Sequence, residues 1–204
     1  MTTLFLVRHG ETVWHGGNRY AGVSDIGLTE LGERQAGTLG TWAAGAGLAA
    51  IWCSTLSRAR HTAEPAGRAA GLEVHIDPDL IEVDFGRGEG HTLEEVRAAD
   101  PELAALFDAD PVQHHFPGGE DPAAAADRAV KAYRRIAAEH PGDAKVLVVG
   151  HGTLTRLALC LLLGIPERNY RRVFPEVRNG ALTELEITAD PDAQARLHSF
   201  NATL

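Results

Sequence analysis

The stretch Leu4-Phe5-Leu6-Val7-Arg8-His9-Gly10-Glu11-Thr12 decides the fold: an apolar run that ends abruptly in a guanidinium, an imidazole and a glycine. A short continuous apolar run bounded by glycine or polar residues is the pattern of a strand buried on both faces of a parallel sheet. The pattern recurs at residues 49–53, ending in Ser54, and at residues 145–149, ending in Gly150-His151-Gly152. Between these runs the apolar period lengthens to that of a helix. Leu28, Leu31, Leu39 and Trp42 form one stripe behind Thr29, an expected N-cap, and Gly45 and Gly47 offer a stop near Ala46. Ser57 is expected to cap a second helix running towards Ala70, which Pro65 should kink or shorten. Residues 121–139 read as a long amphipathic helix with Val130, Tyr133 and Ile136 or Ala137 on one face. Leu154, Leu157, Ala158 and Leu161 follow the same period in a last helix that Gly164 and Pro166 end. Strands alternating with helices imply an α/β protein, a three-layer α/β/α sandwich around a mostly parallel sheet, with ligands at the carboxyl ends of the strands.

The 204 residues are read as a single domain, 1–204, long enough to bury a sizeable core. Residues 84–119 are richer in Gly, Pro and charge, with short helical pieces at 93–99 and 101–107, and read as an insertion over the sheet edge that serves as a lid. A composition of 44% apolar and 23% charged residues excludes disordered, collagenous and disulfide-scaffold classes. Lys and Arg number 19 against 28 Asp and Glu, a formal charge of −9, which argues against nucleic acid or an anionic membrane as partner. An anionic ligand must therefore meet a local positive pocket. Apart from Lys131 and Lys145 the basic residues are arginines, whose fork matches phosphate and carboxylate. Cys53 and Cys160 fit neither a disulfide framework nor a metal site, the N-terminal residues lack signal-peptide features, and polar residues interrupt the most apolar stretch. A cytoplasmic protein is expected, and base rate alone favours a homodimer.

Arg8 and His9 follow one expected strand and His151 another, so in a parallel sheet both histidines leave the same edge. Arg58 opens the helix after the 49–53 strand and adds that helix's N-terminal dipole at the same place. Two arginines, two histidines and a helix terminus suit a dianion, and phosphoryl is the natural guest if both arginines bind its oxygens bidentately. Neutral imidazole, available near pH 7, supports covalent catalysis. The adjacent pair His114-His115 lacks metal-ligand spacing, no Gly-Lys-Ser/Thr follows Gly16, Gly17 and Gly22, and neither a metal nor a cofactor is expected. Arg168, Arg171, Arg172 and Arg178 read as a solvated basic helix and turn.

Residues 6–12, Leu-Val-Arg-His-Gly-Glu-Thr, resemble the signature of the histidine phosphatase superfamily, the group of cofactor-dependent phosphoglycerate mutases and related phosphatases. Further blocks follow in order. Trp14, Arg19, Gly22, Asp25, Leu28-Thr29, Gly32 and Gln35-Ala36 continue the pattern, and Ser54 to Ala63 resembles the second block. Glu82-Val83-Asp84-Phe85-Gly86, Pro117-Gly118-Gly119-Glu120 and Val148-Val149-Gly150-His151-Gly152 resemble the rest. The resemblance implies a phosphoglycerate mutase-like fold, His9 as the nucleophile that accepts the phosphoryl group and Glu82 as the acid that protonates the leaving oxygen. It implies that Arg8, Arg58 and His151 hold the phosphoryl oxygens, with Gly22 and Gly152 beside them. Apolar Leu80, Ile81, Val83 and Phe85 flank Glu82 and favour the protonated carboxyl that such an acid needs.

Two departures from the family pattern matter. His15 stands where the family places a phosphate-holding Asn, and an imidazole can donate a hydrogen bond there with a different reach. Val83-Asp84 follows Glu82 where the mutases carry Arg and Tyr, which favours hydrolysis over phosphoryl return. The expected activity is a metal-independent phosphomonoesterase acting on a small phosphorylated substrate. The alternatives are a 2,3-bisphosphoglycerate-dependent mutase-like transferase and a phosphate- or phosphoprotein-binding module with little turnover.

Overall fold

The computed structural model describes residues 1–204. Six strands form one sheet: β1 (Thr2–Arg8), β2 (Ala50–Cys53), β3 (Val74–Ile76), β4 (Lys145–Gly150), β5 (Leu182–Ile187) and β6 (Arg196–Ala202), in the order β3-β2-β4-β1-β5-β6. The first four strands run parallel, and β5 and β6 add an antiparallel margin. Alternate residues of the central strands serve the two layers. Leu4 and Leu6 of β1 and Val146 and Val148 of β4 join one apolar cluster, whereas Val7, Leu147 and Val149 join the other. Burial on both faces explains why these strands read as continuous apolar runs.

Helices α1 (Glu30–Ala43) and α2 (Ser57–Ala70) cover one face, and α5 (Pro122–Glu139) and α6 (Gly152–Leu162) cover the other. Thr29 caps α1, its side chain accepting from Gly32 N at 3.1 Å, but the helix stops at Ala43 rather than near Ala46. The expected stripe also shifts. Leu31 is 41% exposed, and the buried face is Gly32, Ala36, Leu39, Gly40 and Ala43, because small residues let α1 press against α2. Ser57 does not cap α2: Leu56 occupies that position, and Ser57 N and Oγ both donate to Asp25 Oδ1, at 2.8 and 2.7 Å. Pro65 lies within α2, which nonetheless continues to Ala70, so it does not shorten the helix.

Helices α3 (Leu93–Ala99) and α4 (Pro101–Ala109) occupy the 84–119 segment. Thr92 and Glu95 close a capping box on α3, and Asp100 caps α4 ahead of Pro101. The segment buries Phe107 against Phe116 with ring centroids 3.9 Å apart, and Tyr20 packs on both rings. These aromatics belong to the same cluster as Leu154 and Leu157 of α6, so the segment shares the main core. After α6, Tyr170–Val173 forms the single turn α7. Of the four arginines expected on a solvated face, Arg168, Arg172 and Arg178 are exposed, but Arg171 lies over the Phe107 ring at 4.7 Å. No helix is long and apolar enough to cross a membrane.

Candidate active site

β1 and β4 are neighbours in register, Arg8 opposite Gly150, and His9 N donates to Gly150 O at 3.0 Å. That pairing brings the two histidines that follow the strands together, with the His9 and His151 ring centroids 5.2 Å apart. The backbone around His9 is clamped from two sides. Gly10 N donates to Thr62 Oγ1 of α2 at 2.9 Å, and Asn179 Nδ2 donates to His9 O at 2.7 Å. The His9 ring, 4% exposed, places Nδ1 2.7 Å from Gly10 O. A carbonyl only accepts, so Nδ1 carries the hydrogen and Nε2 keeps its lone pair.

Burial, then the charges of His151, Arg8 and Arg58, hold His9 well below the ordinary histidine range. His151, fully buried, is held down by burial and then by Arg58 and Arg8, and neither of its ring nitrogens has a hydrogen-bond partner within the protein. Both imidazoles are therefore neutral at pH 7.

Arg58 is 0% exposed. Its terminal nitrogens are spent on the 21–24 loop, Nη1 donating to Ser24 O at 2.7 Å and Nη2 to Gly22 O at 2.6 Å, and only Nε is unpartnered. Arg8 is similar. Nη1 donates to Val177 O and Nη2 to His15 Nε2, each at 2.7 Å, while Nε is buried without a partner. The expected bidentate forks are thus corrected: the forks anchor the arginines to the protein, and the Nε–H edges remain for an oxyanion. Burial lowers Arg8 to about 10, so it stays charged at neutral pH.

His15 differs from the hydrogen-bond donor anticipated for it. Its Nε2 faces the obligate donors Arg8 Nη2 and, at 3.2 Å, Asn179 Nδ2, and so accepts. Its Nδ1 faces Thr12 N–H, which donates to it at 3.0 Å, with Thr12 Oγ1 2.8 Å away. Burial first, then Arg8, lowers His15 to about 4, which agrees with a neutral acceptor. Gly22 also has another use: its N–H donates to Glu89 Oε1 at 2.8 Å, and its carbonyl holds Arg58. A Cβ there would stand 2.1 Å from that Glu89 oxygen and 2.2 Å from Val83 O, so only glycine fits. Gly152, buried at the start of α6, passes beside Arg8, whose Nε would lie 3.2 Å from a Cβ at that position.

Glu82 is 5% exposed and is fixed by backbone. Its Oε1 accepts from Val83 N at 3.0 Å and Leu154 N at 2.8 Å, and its Oε2 accepts from Thr153 N at 2.9 Å. Two of these donors are orphan amides in the first turn of α6, which attract a carboxylate. Three backbone N–H donors thus fix both oxygens of the carboxyl. Arg8, His9, His15, Glu82, Gly152 and Arg156 all line one cleft of about 300 Å³. Sequence reasoning missed Thr62 and Asn179, whose contacts join segments distant in the chain, and Arg156, which looked like a polar interruption in an apolar helix.

Comparison with known proteins gives the same grouping. Residues 4–202 match the histidine phosphatase superfamily (branch 1). The chain is 38% identical over 197 residues to a bifunctional protein of Mycobacterium tuberculosis, covering 96% of this chain and 53% of that protein. It thus spans about half the length of that relative. It is 33% identical to a probable phosphoglycerate mutase of Yersinia enterocolitica, covering 94% of this chain and 87% of that one. The solved structure of a mycobacterial glucosyl-3-phosphoglycerate phosphatase superposes with a TM-score of 0.88 at 29% identity, covering 98% and 99% of the two chains. This chain belongs to the histidine phosphatase superfamily.

Proposed function

We propose that this protein is a phosphomonoesterase that works through a phosphohistidine on His9 and needs no metal. The observation that carries the reading is a set of buried nitrogens without partners, Arg8 Nε, Arg58 Nε and both ring nitrogens of His151, with the His151 ring 5.2 Å from an imidazole, His9, whose Nε2 is unprotonated. In the first half-reaction His9 Nε2 attacks phosphorus while the bond to the leaving oxygen breaks. Glu82 gives that oxygen its proton. The two Nε–H edges and one His151 N–H hold the equatorial oxygens, a preorganised set of the kind that stabilises developing charge. In the second half-reaction water attacks phosphorus, Glu82 takes its proton, and the phosphorus–nitrogen bond breaks to release phosphate. His15 and Gly22 act through the arginines they hold, and Gly152 lets the chain pass close to Arg8.

Residues 84–119 form the lid that selects the leaving group, through Phe85 and Leu93 on the cleft wall. Hydrolysis rather than phosphoryl return is favoured by Val83-Asp84 after Glu82, where the mutases carry Arg and Tyr, since the buried apolar Val83 side chain brings no charge to the cleft. The family includes mutases, so the test must separate the two. Phosphate release from p-nitrophenyl phosphate in excess EDTA is expected for the unmodified protein and not for His9→Ala. Activity lost to EDTA, or retained by His9→Ala, would overturn the proposal. Rapid interconversion of phosphoglycerates that depends on a bisphosphate primer would replace hydrolysis by transfer.

A further inference from the structure

Residues 81–85, which carry Glu82 into the cleft, belong to no helix or strand, so their carbonyls have no ladder partners and need other donors. One guanidinium supplies several. Arg128, on α5, donates from Nη1 to Asp79 O and to Ile81 O, each at 2.7 Å, and from Nη2 to Glu82 O at 3.3 Å. Its other N–H groups form a bidentate pair with Glu120, Nε to Oε1 and Nη2 to Oε2, each at 2.8 Å. A guanidinium has five N–H donors, and all five are committed here.

Glu120 is itself braced. Its N donates to Asp84 O at 2.9 Å, and Arg87 N donates to Pro117 O at 3.1 Å, so the chain entering the 84–119 segment is bonded to the chain leaving it. The side chains of Arg128 and Glu120 are only 20% and 25% exposed, where a bidentate pair keeps its geometry. The acid is therefore gripped at both ends. Amides of α6, from Thr153 and Leu154, hold its carboxyl, and Arg128 of α5 holds its main chain. Neither Arg128 nor Glu120 lines the cleft, so neither meets the substrate, although the Arg128 charge is felt at His151.

We infer that Arg128 is the positioning residue of the general acid: braced by Glu120, it fixes the main chain at Glu82 against α6 and so sets the reach of the carboxyl to the leaving oxygen. This rests on the phosphomonoesterase reading above, in which Glu82 protonates that oxygen. A displaced carboxyl fails at proton delivery while the phosphoryl-holding nitrogens stay in place, and a misplacement of about 1 Å costs on the order of a hundredfold. The loss should therefore fall on esters whose alcohol needs a proton in order to leave.

The test compares benzyl phosphate, whose alkoxide leaves only with a proton, with p-nitrophenyl phosphate, of similar size, whose phenolate leaves without one. The readout is kcat/KM, which reports the steps up to departure of the alcohol. Arg128→Lys keeps the charge felt at His151 but has three donors for five acceptors. It should lower kcat/KM for benzyl phosphate by about ten- to hundredfold and for p-nitrophenyl phosphate by no more than about threefold. Glu120→Gln, which leaves Arg128 its three carbonyls, should show the same pattern at smaller size, and it carries the comparison if Arg128→Lys does not fold. In the Glu82→Gln background the effect on benzyl phosphate should vanish, since no acid remains to be positioned. Equal losses on the two esters would make the pair merely structural and overturn the inference. So would an unchanged benzyl phosphate rate in Arg128→Lys, or losses that multiply with those of Glu82→Gln. Turnover of p-nitrophenyl phosphate but not of benzyl phosphate by the unmodified protein would deny the acid that Arg128 positions, and would leave hydrolysis through His9 standing. No turnover of either ester would overturn the phosphomonoesterase reading and this inference with it.

Discussion

Replacing Glu82 by Gln separates the carboxyl's chemical role from its structural one. The carboxylate accepts three backbone N–H bonds, two at Oε1 and one at Oε2. A glutamine can keep the pair from Val83 and Leu154 by placing its carbonyl at the Oε1 position, but its amide then faces Thr153 N–H, donor against donor. Leaving one such buried group unsatisfied costs ~1–3 kcal/mol. For a domain of this size that lowers Tm by roughly 2–12 °C, since each kcal/mol is worth about 2–4 °C. The variant therefore folds at 25 °C, and its kinetics can be read. Loss of the general acid should slow hydrolysis of an alkyl phosphate by about 10²–10⁴-fold, and that of p-nitrophenyl phosphate far less, because a good leaving group departs without a proton. Release of phosphate from both esters, with a thermal melt on the same preparation, provides the assay. Equal losses on the two esters would remove Glu82 as the acid, and an unchanged Tm would contradict the hydrogen-bond reasoning.

Gly10 and Gly32 meet backbone to backbone, and a Cβ on Gly32 would stand 2.1 Å from Glu11 O, so Gly32→Ala should displace the loop after His9 and cut both activity and Tm. A soluble variant with unchanged kcat/KM would show that the loop tolerates the shift. His15 titrates near 4 in the folded chain against 6.5 ordinarily, so between those values the unfolded chain binds a proton that the folded one does not. Stability should fall as pH drops from about 6.5 towards 4, and His9 and His151, also depressed, act in the same direction. Urea midpoints across that range should fall less steeply in His15→Asn, whereas identical slopes would deny His15 its share. Phe107 and Phe116 are buried in the main core, so amide exchange in α4 should approach the global rate. Fast exchange there would mean a loose lid.

The central strands and the two histidines at their ends were legible because burial on both faces leaves an unbroken apolar run, and parallel neighbours share a carboxyl edge. The antiparallel margin was passed over, although Leu182, Leu185 and Ile187 are buried and Glu184 and Glu186 partly exposed, a near alternation. Helix α1 misled because its packing face is built from Gly32, Ala36 and Gly40, and small residues add little to an apolar stripe. At the site, residue types were readable and partners were not. That Arg8 and Arg58 spend their forks on carbonyls and on His15 depends on segments joined only by folding. Arg156 was masked for a related reason: within Leu154 to Leu162 it looks like a break in an apolar face, and only folding brings it to the cleft wall.

The most direct measurement is to quench the protein in the steady state with ³²P-labelled substrate and examine it for bound phosphate. Label that is stable in alkali, lost in acid, and carried by the peptide containing His9 is the predicted result, with none in His9→Ala. Turnover at full rate with no acid-labile phosphoenzyme, or label on any other residue, would contradict the account.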